Sequence, residues 1–179
     1  ILDTRPKLAE DRMKISSLRP LGSRVEANDL SVEAVLLLSK RPFVDQLQFQ
    51  FYGDGALFDE ILEPLRNFPN VLIQRGYLTH AEIARLHGQN GIFLVPTRGD
   101  TQGVSRDEAM ASGLVPVTNS AGAVPEFVDE TCAILAPEED AVQLAAGIER
   151  LYGDPDLFMR MSAAAAARVR RQSSTDIIT

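Results

Sequence analysis

Residues 92–118 read IFLVPTRGDTQGVSRDEAMASGLVPVT. Two apolar runs of strand length, 92–95 and 115–118, enclose a polar loop, a glycine at Gly103 and a helix-period segment. A strand that is apolar along its whole length, then a helix, then a second such strand is the repeating unit of a parallel sheet covered on both faces. A strand with one solvated face would alternate apolar and polar residues instead.

The same unit recurs on both sides of this stretch. Residues 14–18, 47–52, 71–74 and 133–135 read as further strands, which makes about six in all. Helices fall between them. Segment 30–40 carries Leu30, Ala34, Leu37 and Leu38 on one stripe, 57–66 carries Phe58, Ile61, Leu62 and Leu65, and 81–88 carries Ile83, Ala84, Leu86 and His87. Thr79 and Glu82 have the offset of a capping box, and Asp154 before Pro155 supplies a cap and an N1 proline. Pro64 conflicts with its helix and is expected to kink it or end it early. Segments 140–152 and 155–171 follow the last strand as a helical C-terminal extension. The fold expected is therefore α/β, a doubly wound, Rossmann-like parallel sheet. In such sheets ligands bind beyond the carboxyl ends of the strands, here after Leu18, Tyr52, Gln74 and Val95.

Length and composition agree with one domain. The 179 residues are 45% hydrophobic and 24% charged, which describes a globular chain with one core. No run of about 18 apolar residues is present, and Asp3, Arg5, Lys7, Glu10 and Asp11 interrupt the start where a signal peptide would be apolar. The first residue is Ile, so the chain reads as a part of something longer. A single cysteine, Cys132, excludes an internal disulfide. With only His80 and His87 beside it, no zinc-ligand cluster is visible, and the two histidines read as a cap-region and a surface residue. A net charge of −7 argues against general nucleic-acid binding, so an anionic ligand must be met by a local group of basic residues. Neither a Walker pattern nor a G-x-G-x-x-G fingerprint occurs, and no hydrolytic triad is visible.

Two loops carry the chemistry. Gly103 permits close approach of backbone to a ligand, and the amides of Val104 and Ser105 at a helix start suit a phosphate. Glu108, one turn into that helix, is placed to accept a bond from a ribose hydroxyl. After the first strand, Arg19 and Arg24 set two fixed cations at one strand end. The turn Gly53-Asp54-Gly55 is explained by turn chemistry alone and is assigned no role in chemistry.

Asp100 and Glu108 are separated by seven residues with a glycine-containing loop between them, and 108–113 spell Glu-Ala-Met-Ala-Ser-Gly. In this the chain resembles the retaining, family-four type of glycosyltransferase of the GT-B architecture, the glycosyl transferases group 1, whose two Rossmann-like domains face each other. The resemblance runs from about Met13 to Arg171 and fits the C-terminal, donor-binding domain of such an enzyme. It implies residues 1–13 as an interdomain linker remnant and 14–179 as the nucleotide-sugar domain. It further implies that Asp100 contacts the donor sugar, Glu108 the ribose, Arg19 and Arg24 the diphosphate, and Leu78, in the turn 76–80, the nucleobase. The donor implied is a sugar carried on UDP, GDP or ADP, with no metal and no other cofactor. The acceptor would be a glycan or a lipid-linked sugar met through an N-terminal domain, in surface polysaccharide or glycolipid synthesis. The location implied is the cytoplasm, with the whole protein peripheral at the inner face of the membrane. Arg24 stands where the family usually has lysine, Val25 where it has glycine, and Asp100 where it has glutamate. Two other readings stay open on these residues: half of a sugar nucleotide epimerase, and a non-catalytic assembly domain.

Overall fold

The computed structural model describes residues 7–99 and 103–178, with side chains as far as residue 172. Six strands form one sheet: β1 (Lys14–Leu18), β2 (Gln48–Gly53), β3 (Val71–Arg75), β4 (Ile92–Leu94), β5 (Val115–Asn119) and β6 (Ile134–Ala136). Their spatial order is β3-β2-β1-β4-β5-β6 and every pairing is parallel. Ile15 of β1 is the register point shared by both halves, level with Phe49 on one side and Ile92 on the other. The helices are α1 (Asn28–Leu38), α2 (Phe58–Leu62), α3 (His80–Gln89), α4 (Val104–Ala111), α5 (Val124–Phe127), α6 (Ala141–Gly153) and α7 (Pro155–Ile178).

Alternation along the strands divides the interior into two layers. Ile92 and Leu94 point into the larger core, with Ile15, Phe49, Val115 and Val117 from other strands and Leu38, Phe58 and Ile148 from α1, α2 and α6. Phe93 and Val95 point the other way, onto Ala109 and Leu114. α7 joins the layers: Phe158 and Met161 lie in the first core, and Ala165 packs with Met110 and Val124 on the second face. β5 is buried at all five positions, as a central parallel strand must be, whereas β3 at one edge alternates half-buried with exposed residues. Residues 7–13 cross the amino ends of the strands. Lys7 is buried there and donates to the His87 carbonyl, while Arg12 Nε donates to the Tyr152 carbonyl at 2.8 Å.

The strands lie within a residue of their expected places. The capping box forms as read, with Glu82 N donating to Thr79 Oγ1 at 3.2 Å and Thr79 N to Glu82 Oε1 at 3.0 Å. Asp154 caps α7 by accepting from Leu157 N at 3.0 Å. Pro64 ends α2 early, and a 3-10 turn over Glu63–Leu65 takes its place and still buries Leu65. α1 begins at Asn28, two residues before the periodicity, because Ala27 enters it in a left-handed conformation at φ 54°. α5 and the 3-10 turns Ala9–Met13 and Val44–Gln46 are too short to show a period and were not expected.

His87 is a correction: it is 1% exposed rather than a surface residue. Its ring sits edge-on to Phe93, with centroids 5.6 Å apart, and among the described residues no hydrogen-bond partner reaches its Nδ1. Burial, with a smaller contribution from the Lys7 charge, lowers its pKa to about 4. In the unfolded chain the imidazole takes its proton near pH 6.5, whereas in the folded protein it resists until about pH 4. Its contribution to stability is therefore complete above pH 6.5 and is lost as pH falls toward 4. Urea denaturation between pH 7 and 4.5 should show a loss of up to about 3 kcal/mol from this group. In His87→Phe that pH slope should flatten; an unchanged slope would assign it to other groups.

Candidate functional site

Winding reverses between β1 and β4. The helix after β1 lies on the face of the larger core and the helix after β4 on the opposite face, so the two connections diverge at the carboxyl ends of the strands, where ligands bind in sheets of this kind. Of the residues singled out from sequence, Arg19 and Arg24 follow β1, Leu78 follows β3, and Gly103, Val104, Ser105 and Glu108 follow β4.

On the β1 side, Arg19 follows the strand directly and is 8% exposed, and its amide donates to the Tyr52 carbonyl at 3.1 Å. The turn after β2 braces this loop. Leu21 N donates to the Asp54 carbonyl and Leu57 N to the Leu21 carbonyl, both at 2.8 Å. A side-chain carbon at Gly53 would stand 2.1 Å from the Arg19 carbonyl oxygen, and one at Gly55 2.3 Å from the Leu21 carbonyl carbon, so both glycines are needed for the contact. Asp54 caps the turn as expected, through Gly55 N at 2.8 Å, and also accepts from Arg75 Nε at 2.9 Å. Arg24 lies farther along on the surface, with Nη2 3.3 Å from Glu60 Oε1 and Nη1 4.0 Å from Asp29 Oδ2.

On the β4 side, Thr97 N donates to Asn119 Oδ1 at 3.2 Å, which ties the loop to β5. Arg98 N donates to the Val25 carbonyl at 2.7 Å, so the two loops touch. Asp100 lies outside the described residues. The description resumes at Gly103, which caps α4 at φ 65°, the left-handed region that favours glycine. Among the described residues no side chain caps this helix. Helix geometry leaves the amides of Val104 and Ser105 without acceptors inside the helix, while Asp107 N makes the first bond, to the Gly103 carbonyl at 2.9 Å. Val104 is 61% exposed, so the first turn is open to solvent. Glu108 is half-buried on the same helix. Leu78 is half-buried beyond β3, whose turn is tied to β2 by Gly76 N donating to the Gly53 carbonyl at 2.9 Å. Two strand spacings separate β3 from β1, about 10 Å at ordinary pairing distance.

Sequence reasoning missed two arginines here, Arg106 and Arg98. Arg106 turns back beneath Gly103, its side chain 3% exposed, 5.6 Å from the Phe127 ring centroid and 3.6 Å from Asp107. The α5 segment that supplies Phe127 is held from α7, where Arg168 Nη1 donates to the Phe127 carbonyl at 3.1 Å. Arg98 joins Asp29 of α1 to Glu139 of the loop after β6. Arg98 and Arg106 lie in the stretch that decided the fold, yet their partners Asp29, Glu139 and Phe127 are distant in sequence. Among the described residues no three His, Cys, Asp or Glu side chains converge as a metal site requires, and no helix is long and apolar enough to cross a membrane.

The fold is that of a Rossmann-like α/β domain, an architecture in which ligands bind at the topological switch. Residues 15–154 match the family model for glycosyl transferases group 1, and the chain belongs to that family. Its sequence is similar to the sulfoquinovosyl transferase SQD2 of Arabidopsis thaliana, 27% identical over 112 residues, which is 63% of this chain and 22% of SQD2. Its fold is similar to that of a TarM point mutant of S. aureus in complex with fondaparinux, α-GlcNAc-glycerol and UDP. That match has a TM-score of 0.83 at 19% identity and covers 99% of this chain and 36% of TarM. The C-terminal domain of the group 1 glycosyl transferase LpcC from Francisella tularensis matches at TM-score 0.77 and 17% identity, over 96% of this chain and 98% of that domain. The chain thus spans about a fifth of SQD2 and about a third of TarM, and its fold is that of one half of a GT-B transferase.

Gly103→Ala tests the packing at the head of α4. The new methyl carbon would lie 2.5 Å from the Arg106 guanidinium carbon, at a left-handed φ. Thermal melts should show a loss of about 2 kcal/mol, roughly 4–8 °C in Tm. Adding Arg106→Ala should then cost less than it does in wild type, because the clash is already relieved. Simple additivity of the two changes would show that the guanidinium does not press on Gly103.

Proposed function

We propose that this chain is the donor-binding domain of a glycosyltransferase that moves a sugar from a nucleoside diphosphate sugar to an acceptor hydroxyl with retention of configuration. What supports the reading is membership of the group 1 family together with a fold in which a two-arginine loop after β1 and the N-terminus of α4 after β4 both follow the carboxyl ends of neighbouring strands. Both favour negative charge, and the chain around them is acidic overall, so this is a local anion site rather than a general one.

In the proposed mechanism the diphosphate lies between Arg19, Arg24 and the amides of Val104 and Ser105. Cleavage of the bond from sugar to phosphate places a growing negative charge on the diphosphate. The arginines and the helix amides stabilise that charge where it forms, without reorganisation. Glu108 accepts from a ribose hydroxyl, and Asp100 orients the sugar over the diphosphate. The distance of about 10 Å from β1 to β3 allows Leu78 to meet the nucleobase while the diphosphate sits at the switch. The UDP in the TarM structure supports a nucleoside diphosphate as the donor's carrier. The acceptor site belongs to a facing N-terminal domain, and the expected acceptor is a surface glycan or a lipid-linked sugar. Without that domain the chain binds donor and transfers poorly.

Calorimetric titration with UDP, GDP and ADP should show binding of at least one. Arg24→Ala should weaken that nucleotide about tenfold, the size of one charge-assisted hydrogen bond, and leave the matching nucleoside nearly unaffected. Absence of binding by all three would sink the nucleotide reading, and equal losses for nucleotide and nucleoside would remove Arg24 from the diphosphate site.

A further inference from the structure

Arg24 stands beside a carboxylate that ought to capture it. Its Nη1 is 4.0 Å from Asp29 Oδ2, and a carboxylate so near an arginine ordinarily closes into a two-pronged pair. Here the two stay at that distance while both oxygens accept from Arg98. Arg98 donates from Nη1 to Asp29 Oδ1 at 2.8 Å and from Nη2 to Asp29 Oδ2 at 2.9 Å. Its Nε and Nη2 donate to the two oxygens of Glu139, at 2.5 and 2.9 Å, and Nη1 also donates to the Arg24 carbonyl at 2.8 Å. All five donors of the guanidinium are used. Glu139 meets them from a left-handed backbone at φ 58°, which residues other than glycine rarely adopt.

We infer that Arg98 is a positioning residue for the diphosphate: by occupying both oxygens of Asp29 it leaves the Arg24 guanidinium available to the ligand, and by holding the Arg24 carbonyl it fixes the loop that presents it. The electrostatics agree with the geometry. Hydrogen bonds from Arg98 hold the carboxyls of Asp29 and Glu139 below their ordinary range, and the bonds to Glu139 and Asp29 in turn bind the Arg98 proton more tightly. Among the described residues the hydrogen bond of the Arg24 side chain is to exposed Glu60, a pair that solvent screens, and its contact with Asp29 stays at 4.0 Å. This role rests on the diphosphate reading of Arg24 given above.

The test separates availability of Arg24 from simple bracing of the loops. Phenylglyoxal modifies accessible arginines, and peptide mass mapping reads its rate at Arg24 with no nucleotide present. In Arg98→Ala, Asp29 is released to capture Arg24, so modification of Arg24 should slow and binding of the nucleotide selected from UDP, GDP and ADP should weaken about tenfold. In the double variant Arg98→Ala/Asp29→Asn the captor is neutral, and both readouts should return to within about threefold of wild type. A bracing role alone predicts the opposite, since the double variant lacks both ends of the brace. Unchanged or faster modification of Arg24 in Arg98→Ala, or a double variant no better than the single one, overturns the inference. Should Arg98→Ala fail to fold, Arg98→Lys replaces it with the same expectations, because an ammonium cannot pair with two carboxylates through parallel bonds. Failure of all three nucleotides to bind wild type would remove the proposed function, and the modification rates would still decide the relation of Arg98 to Arg24.

Discussion

Parallel strands can be joined only by right-handed crossovers, and that constraint shapes this domain more than any single contact does. The chain winds outward from β1 through β2 to β3, returns to the middle as β4, and winds outward again through β5 to β6. Because the direction of travel reverses, right-handedness places α1 on one face and α4 on the other. The loops leading into them cannot pack along their full length, and a crevice opens between β1 and β4. The cation-bearing loop follows β1 and the head of α4 follows β4, so both emerge at that end of the sheet.

Holding such a crevice in shape requires contacts from outside it. Gly53 and Gly55 let the turn after β2 approach the backbone of Arg19 and Leu21 too closely for any side chain. Asn119 of β5 ties down the loop after β4, with Nδ2 donating to the Thr97 carbonyl at 3.0 Å. Phe127 covers the Arg106 guanidinium and is itself held from α7. The helical extension that follows the last strand thereby reaches back to the head of α4.

The electrostatic design follows from an acidic chain that carries several arginines at the carboxyl ends of its strands. With a net charge of −7, arginines at the crevice inevitably find carboxylate neighbours. Their arrangement decides whether any positive charge remains for a ligand. Arg98 pairs with Asp29 and Glu139, and Arg24 stands at the end of the network, 3.3 Å from exposed Glu60 and 4.0 Å from Asp29. Individually such pairs contribute little to stability. Their importance lies in geometry, since one planar guanidinium fixes the Asp29 carboxylate of α1, the Arg24 carbonyl of the loop before it and the Glu139 carboxylate of the loop after β6.

Local chemistry was legible in the sequence. Strand length, apolar periodicity and capping act over a few residues, so the six strands, the Thr79–Glu82 box and the asparto-prolyl start of α7 could be read without knowing what they pack against. The family pattern around Gly103 was equally local, because a glycine cap and the helix behind it are contiguous in the chain. Strand order was not legible, since apolar strands carry no mark of their neighbours. His87 was misread for the same reason: a histidine on a helix looks solvated until Phe93 and Lys7 arrive from distant segments to bury it. Arg98 lay in full view between Thr97 and Gly99, but its partners stand 69 and 41 positions away. By itself the sequence determined which segments become strands and helices and which loops carry the arginines and the glycine-capped helix. Only the tertiary structure decided which charges there are spent on each other, because that depends on separations between loops that no local pattern encodes.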